Sequence, residues 1–167
     1  MPPLLPVLFG LSLSAGSLFV DPDASYPRVR AAAPLMRSII ADTAVRSVTV
    51  RALLARIAFT DVIVYVELTP SPQIPIARTK LVTTAGGVRF LRIGINAMTP
   101  FADVGPLLAH ELQHAVEIAE AREVTDDDGV RRLYERIGRA GGSDRYETDA
   151  ALKVQWSVRG ELLDRRR

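Results

Sequence analysis

The run His110-Glu111-Leu112-Gln113-His114 holds both histidines of the chain, and no other stretch constrains the fold as tightly. On a helix of about 3.6 residues per turn, side chains four apart lie about 40° apart, so both imidazoles share one face and can reach one metal ion. Glu111 then falls beside them. A carboxylate there can take a proton from a water whose pKa zinc lowers to about 7. The fold must therefore keep this stretch helical and bring at least one further ligand to it.

The local pattern supports such a helix. Asp103-Val104-Gly105-Pro106 offers a cap and a first-turn proline, and the helix is expected to run to about Ala121. Leu108, Leu112, Ala115 and Ala119 form one stripe, with Leu107 and Ile118 beside it. Gln113, Glu117 and Glu120 share the opposite arc, and a plain solvated face accounts for Glu117 and Glu120 but not for Glu111. Glu111 projects between Ile118 and the Leu108 stripe, where an ordinary amphipathic helix has an apolar residue. An unpaired carboxylate buried there is costly, and a metal-facing or catalytic role removes the anomaly.

With no cysteine and no further histidine in the chain, a third ligand must be a carboxylate. Glu117 shares the arc of Gln113 and Glu120. Glu120 stands where the motif HExxHxxGxxH has its last histidine, but Glu117 replaces the glycine that motif needs for its turn. Glu147, in Tyr146-Glu147-Thr148-Asp149-Ala150, is the better candidate. The last helix is predicted over Asp144 to Leu163, with Ala151, Val154, Val158 and Leu162 on one face, and Glu147 heads that face. The same position also suits a first-turn carboxylate near the helix dipole, with Ser143 or Asp144 as cap. Both readings stay open.

His110, Glu111, His114, Glu147 and Ala150 match the pattern of the gluzincin-like zinc peptidases, in which HExxH on one helix is completed by E-x-x-A on a later one. The region from Pro100 to Glu161 resembles that family. The resemblance implies a zincin-like fold, Zn²⁺ held by His110, His114 and Glu147, Glu111 as general base, and a peptide or protein as substrate. It also implies a donor for the reaction's oxyanion. With no third histidine, Tyr146 is taken as that catalytic donor, with Arg145 and Tyr134 as alternatives and simple packing as the plainer use of both tyrosines. Many members carry an Asp four residues after the ligand Glu, where it orients a histidine. Here that position is Ala151, so the orienting partner is unassigned. Family members pair an extended substrate with an edge strand, which here would be Arg78 to Thr84 or Val88 to Ile95.

Helices are expected at Ala33–Arg46 and Val48–Phe59, with Ser47 as break and cap, and strands at Val62–Leu68, Arg78–Thr84 and Val88–Ile95. The last two flank the hairpin signal Ala85-Gly86-Gly87. A further helix is expected from Asp126 to Ile137, stopped by Gly138. The order gives an α+β, zincin-like fold: a small three-stranded sheet packed with about five helices, the metal site lying between the HExxH helix and the C-terminal helix. At 167 residues and 48% hydrophobic, residues 21–167 suffice for one domain with a core. A net charge of +2, with basic groups scattered among acids, gives no nucleic-acid footprint, and Arg165-Arg166-Arg167 reads as a solvated tail.

Residues 1–20 carry no charged side chain. Leu4 to Leu11, followed by Ser14 and Gly16, reads as a secretory leader cut before Ser17 or as a short membrane anchor, making the protein exported or envelope-associated. With Pro2, Pro3 and Pro6 it also suits an apolar arm packed on the domain of a cytoplasmic protein. Two functions are compatible with the whole: a zinc metallopeptidase, and a non-catalytic zincin-like binding domain with structural metal or none. A third reading makes HExxH an accident on a core helix. Glu111 separates the first two, because a structural zinc has no use for a base beside it.

Overall fold

Two helices, a hairpin-bearing sheet and three further helices follow one another along the chain. The computed structural model describes residues 26–70, 76–140 and 146–164, with backbone alone for Ala140 and Tyr146. The leader expected over residues 1–20, Arg145, and the terminal arginines lie outside the described residues. The elements are β1 (Val29–Arg30), α1 (Pro34–Arg46), α2 (Val48–Ala58), β2 (Val62–Thr69), β3 (Ala77–Ala85), β4 (Val88–Asn96), α3 (Phe101–Glu120), α4 (Asp127–Ile137), β5 (Arg139–Ala140), β6 (Tyr146–Glu147) and α5 (Asp149–Asp164).

Local chemistry accounts for most boundaries. The Ser47 hydroxyl accepts from Val50 N at 3.0 Å and starts α2. Asp126 accepts from Gly129 N at 2.7 Å and starts α4. Gly86 and Gly87 have φ of 57° and 75°, the paired positive values that a two-residue type I′ hairpin demands between β3 and β4.

The main sheet has four strands in the order β1-β2-β4-β3, one more than expected. The extra strand is β1, which pairs in parallel with β2 through Val29 and Arg30 alone and is too short to carry a periodic signal. β2 and β4 are parallel and β3 and β4 antiparallel, so the sheet is mixed. Of the two candidate edge strands, β3 is the edge and β4 is internal. One face of the sheet buries Val62, Val64 and Val66 of β2, Leu81 of β3, and Leu91, Ile93 and Ile95 of β4. The other exposes Tyr65, Glu67, Lys80 and Arg92. Among the described residues no helix is long and apolar enough to cross a membrane.

Helix α3 crosses the buried side, packed on β3, β4, α2 and α5. Leu108, Leu112 and Ile118 are fully buried on it, each contributing about 1.5–3 kcal/mol. It starts at Phe101, before the expected Asp103, and Pro106 falls in its second turn. Asp103 does not cap. It pairs instead with Arg159 of α5 at 2.8 Å.

The solvated reading of Glu117 on α3 is corrected. Gln113 is buried, and the Glu117 side chain is only 9% exposed, because α5 lies over that side. Glu120 alone of the three is exposed, bonding Arg56 at 2.6 Å.

The far end of α3 is held by Arg89, inward-facing on β4 and 1% exposed. Its guanidinium donates to Asp61 Oδ1 and Oδ2 at 2.7 and 2.9 Å. It also donates to the carbonyls of Ile118, Ala119, Ala121 and Val124 at 2.7, 2.8, 2.9 and 3.1 Å. Carbonyls in the last turn of a helix have no partner within it, so one cation satisfies the end of α3 and ties it to the sheet.

Candidate metal centre

One turn of α3 and the short strand β6 converge on a common point. His110 Nε2 and His114 Nε2 are 3.1 Å apart, and Glu147 Oε1 is 3.3 Å from His110 Nε2. The ligand atoms of the three residues all lie within 4.8 Å of one another. Ligand atoms on a tetrahedral zinc with bonds of about 2.0–2.1 Å are separated by about 3.3–3.4 Å. The His110–Glu147 separation therefore matches and the His110–His114 one is slightly short, and two imidazole nitrogens with a carboxylate are a chemically suitable donor set. The imidazoles are buried, with side chains 10% and 8% exposed, while Glu147 is 38% exposed, so the cluster opens to solvent on the Glu147 side.

Glu147 reaches the cluster differently from the expectation. The last helix begins at Asp149 rather than Asp144, and Glu147 lies ahead of it in β6, paired with Arg139 of β5. The cap is Thr148, whose Oγ1 accepts from Ala151 N at 3.1 Å. Pairing with β5 holds residues 146 and 147 extended, and the Thr148 hydroxyl supplies the helix start. Arg139 and Asp149 form an exposed ion pair across the junction.

This arrangement predicts the effect of a small change. A Cβ on Gly138, which ends α4, would stand 2.8 Å from Tyr134 O and 3.2 Å from Glu147 O. Gly138→Ala is expected to displace β6, destabilising the protein by about 1–3 kcal/mol and weakening metal binding. Urea denaturation and a zinc-competition titration check both effects. Unchanged values would show that Gly138 leaves room at Glu147.

The electrostatics set the histidines apart. Burial, reinforced by His114, holds the His110 imidazole below its ordinary pKa. Its Nδ1 is buried and meets no hydrogen-bond criterion among the described residues, while Gln155 of α5, Glu147 and Glu117 act on the ring in the opposite sense to burial. Burial acts the same way on His114, but the Glu117 hydrogen bond and the nearby carboxylates outweigh it and raise that pKa. The Glu117 Oε2–His114 Nδ1 distance is 2.8 Å. Burial of Glu117 is in turn outweighed by bonds from His114, Thr148 and Gln113, which hold its carboxyl below the ordinary value.

Glu111, the expected base, is 5% exposed. The Thr79 hydroxyl of β3 lies 2.6 Å from its Oε2 and 3.1 Å from its backbone carbonyl. Burial pushes the Glu111 carboxyl above its ordinary pKa, and His114 and Thr79 oppose that only in part. The edge strand thus touches the carboxylate beside the candidate metal ligands.

The structure brings His110, Glu111, His114 and Glu147 together. Tyr134 reaches the site too, its ring meeting His114 edge-on at 5.4 Å and its hydroxyl lying 3.3 Å from His114 O. Burial drives its phenol pKa far upward. Tyr134 thus lines the site, with Glu117 as well as the His114 carbonyl acting on its hydroxyl. The side chain of Tyr146, expected as the catalytic oxyanion donor, lies outside the described residues, as does Arg145. Glu117 fills the unassigned role of histidine partner. Its spacing of three from His114 was the available signal, obscured by the expectation of a solvated face. Thr148 carried the signature of a helix cap, whereas nothing local marked Thr79. Comparison with protein-family models, curated proteins and solved structures gives no match for this chain.

Proposed function

We propose that this protein is a zinc-dependent metallopeptidase with a zincin-like domain. The observation that carries the reading is the convergence of two imidazole Nε2 atoms 3.1 Å apart and a carboxylate 3.3 Å from one of them, with the buried Glu111 next in sequence. Zinc held by His110, His114 and Glu147 would supply Lewis-acid polarisation of a scissile carbonyl and acidify the attacking water.

The chain's own groups do the rest. Thr79 holds Oε2 of Glu111, leaving Oε1 to take the proton of the attacking water and return it to the leaving amine. The raised pKa of Glu111 suits a group that must both accept and release that proton. An extended peptide adds to the side of β3 that pairs with no strand among the described residues, and so passes the Thr79–Glu111 contact. Glu111 favours catalysis over a merely structural metal, which requires no base.

The test is to incubate zinc-loaded protein with a diverse mixture of unstructured peptides and read the products by mass spectrometry. Cleavage abolished by a chelator and restored by zinc is the expected result. Absence of cleavage across the mixture by fully loaded protein would contradict the enzyme reading.

A further inference from the structure

Each oxygen of Glu117 is bonded to a different part of the site. Oε2 lies 2.8 Å from His114 Nδ1, and Oε1 accepts from Thr148 Oγ1 at 2.7 Å and from Gln113 Nε2 at 3.3 Å. Thr148 directly follows Glu147 in the chain. Its hydroxyl donates to Glu117 and accepts from Ala151 N, so both capacities are used. A single buried carboxylate therefore spans the gap between the helix that carries two candidate ligands and the junction that carries the third.

We infer that Glu117 and Thr148 form a strut that presets the metal site, Glu117 acting as a positioning residue for His114 directly and for Glu147 through Thr148. This rests on the proposed zinc site and extends it to two residues that are not themselves ligands but bond to them, Glu117 to His114 and the Thr148 N–H to Glu147 Oε1. Two consequences follow from the geometry. A proton on His114 Nδ1, donated to Glu117, leaves the Nε2 lone pair free toward His110 and Glu147. The bond to Thr148 fixes the turn between β6 and α5, so Glu147 is held near the imidazoles before metal arrives. Glu117 then does from within the helix what a carboxylate four residues after the ligand Glu would do, a position filled here by Ala151.

The test measures zinc affinity by chelator competition on the full chain, for wild type, Glu117→Gln, Thr148→Val and Thr148→Ser, together with the visible spectrum of the Co²⁺-loaded forms and the melting of metal-free protein. Glu117→Gln is expected to weaken zinc about 10–100-fold, the range typical of partners behind a ligand, and to alter the Co²⁺ spectrum. Thr148→Val, which keeps α3 intact, is expected to weaken it about tenfold, and Thr148→Ser, which keeps the hydroxyl, to bind like wild type. These effects should persist at temperatures where every metal-free variant is folded. If Glu117→Gln does not fold, the Thr148 pair decides alone. Tight zinc binding by wild type with equal affinity in Glu117→Gln or Thr148→Val overturns the strut and spares the site. Equal weakening by valine and serine at position 148 also overturns it. A wild type that binds no zinc removes both.

Discussion

Replacing Arg89 with methionine is expected to destabilise the protein by about 2–4 kcal/mol, because buried carbonyls left without a donor cost about 1–3 kcal/mol each, whereas its carboxylate partner Asp61 is partly exposed and adds little. Methionine fits the apolar length of the side chain and supplies no donor. It would leave the carbonyls of Ile118, Ala119, Ala121 and Val124 without the guanidinium that now bonds all four. The loss falls at the end of the helix that carries two of the three candidate ligands. Urea denaturation of metal-free protein measures it, and a change below about 1 kcal/mol would show that water replaces the guanidinium at little cost. Lysine should rescue poorly, since it offers three donors on a point charge in place of five on a planar fork.

The same pair gives a pH signature. Hydrogen bonds from Arg89 hold the Asp61 carboxyl below its ordinary value. A carboxylate with a depressed folded-state pKa contributes stability above its unfolded value of about 3.9 and loses it as pH falls through the folded value. Wild type should therefore exceed Asp61→Asn in stability at neutral pH, and the gap should close in acid below about pH 4. A constant gap across that window would separate Asp61 from the acid limb.

Glu111→Gln is expected to lower peptide hydrolysis about 10²–10⁴-fold, the contribution of a positioned general base, while zinc stays bound at wild-type affinity. Glutamine preserves the shape and can keep the Thr79 bond through its carbonyl oxygen, so the loss would report proton transfer rather than packing. Rates are compared on metal-loaded proteins with any peptide that wild type cleaves. A variant within tenfold of wild type would remove Glu111 from the chemistry. Loss of zinc together with activity would give it a role in holding the site instead.

How much of this was legible in sequence depended on whether the signal was local. The HExxH helix, the Ser47 cap, the helix after Asp126 and the Gly86-Gly87 turn each announce themselves within a few residues, and the structure has them. The candidate ligands were legible by scarcity, since two histidines and no cysteine leave few metal donors. The two-residue strands β1, β5 and β6 were invisible because they exist only through pairing with distant partners. The start of α5 was misplaced for that reason: β5 holds Glu147 extended where helical periodicity alone would continue the turn. Glu117 was misread because projecting one helix assigns its polar arc to water, and only the packed fold shows α5 covering it. Thr79 meets Glu111 across the gap between sheet edge and helix, a distance in the fold that no local spacing encodes.

The most direct test of the metal centre is zinc content by elemental analysis after purification under metal-replete conditions, for wild type, His114→Ala and Glu147→Ala. One zinc ion per wild-type chain, with zinc lost from or greatly weakened in both variants, is the predicted result. A wild type free of zinc, or a Glu147→Ala protein that holds it as tightly as wild type, would contradict the proposed centre.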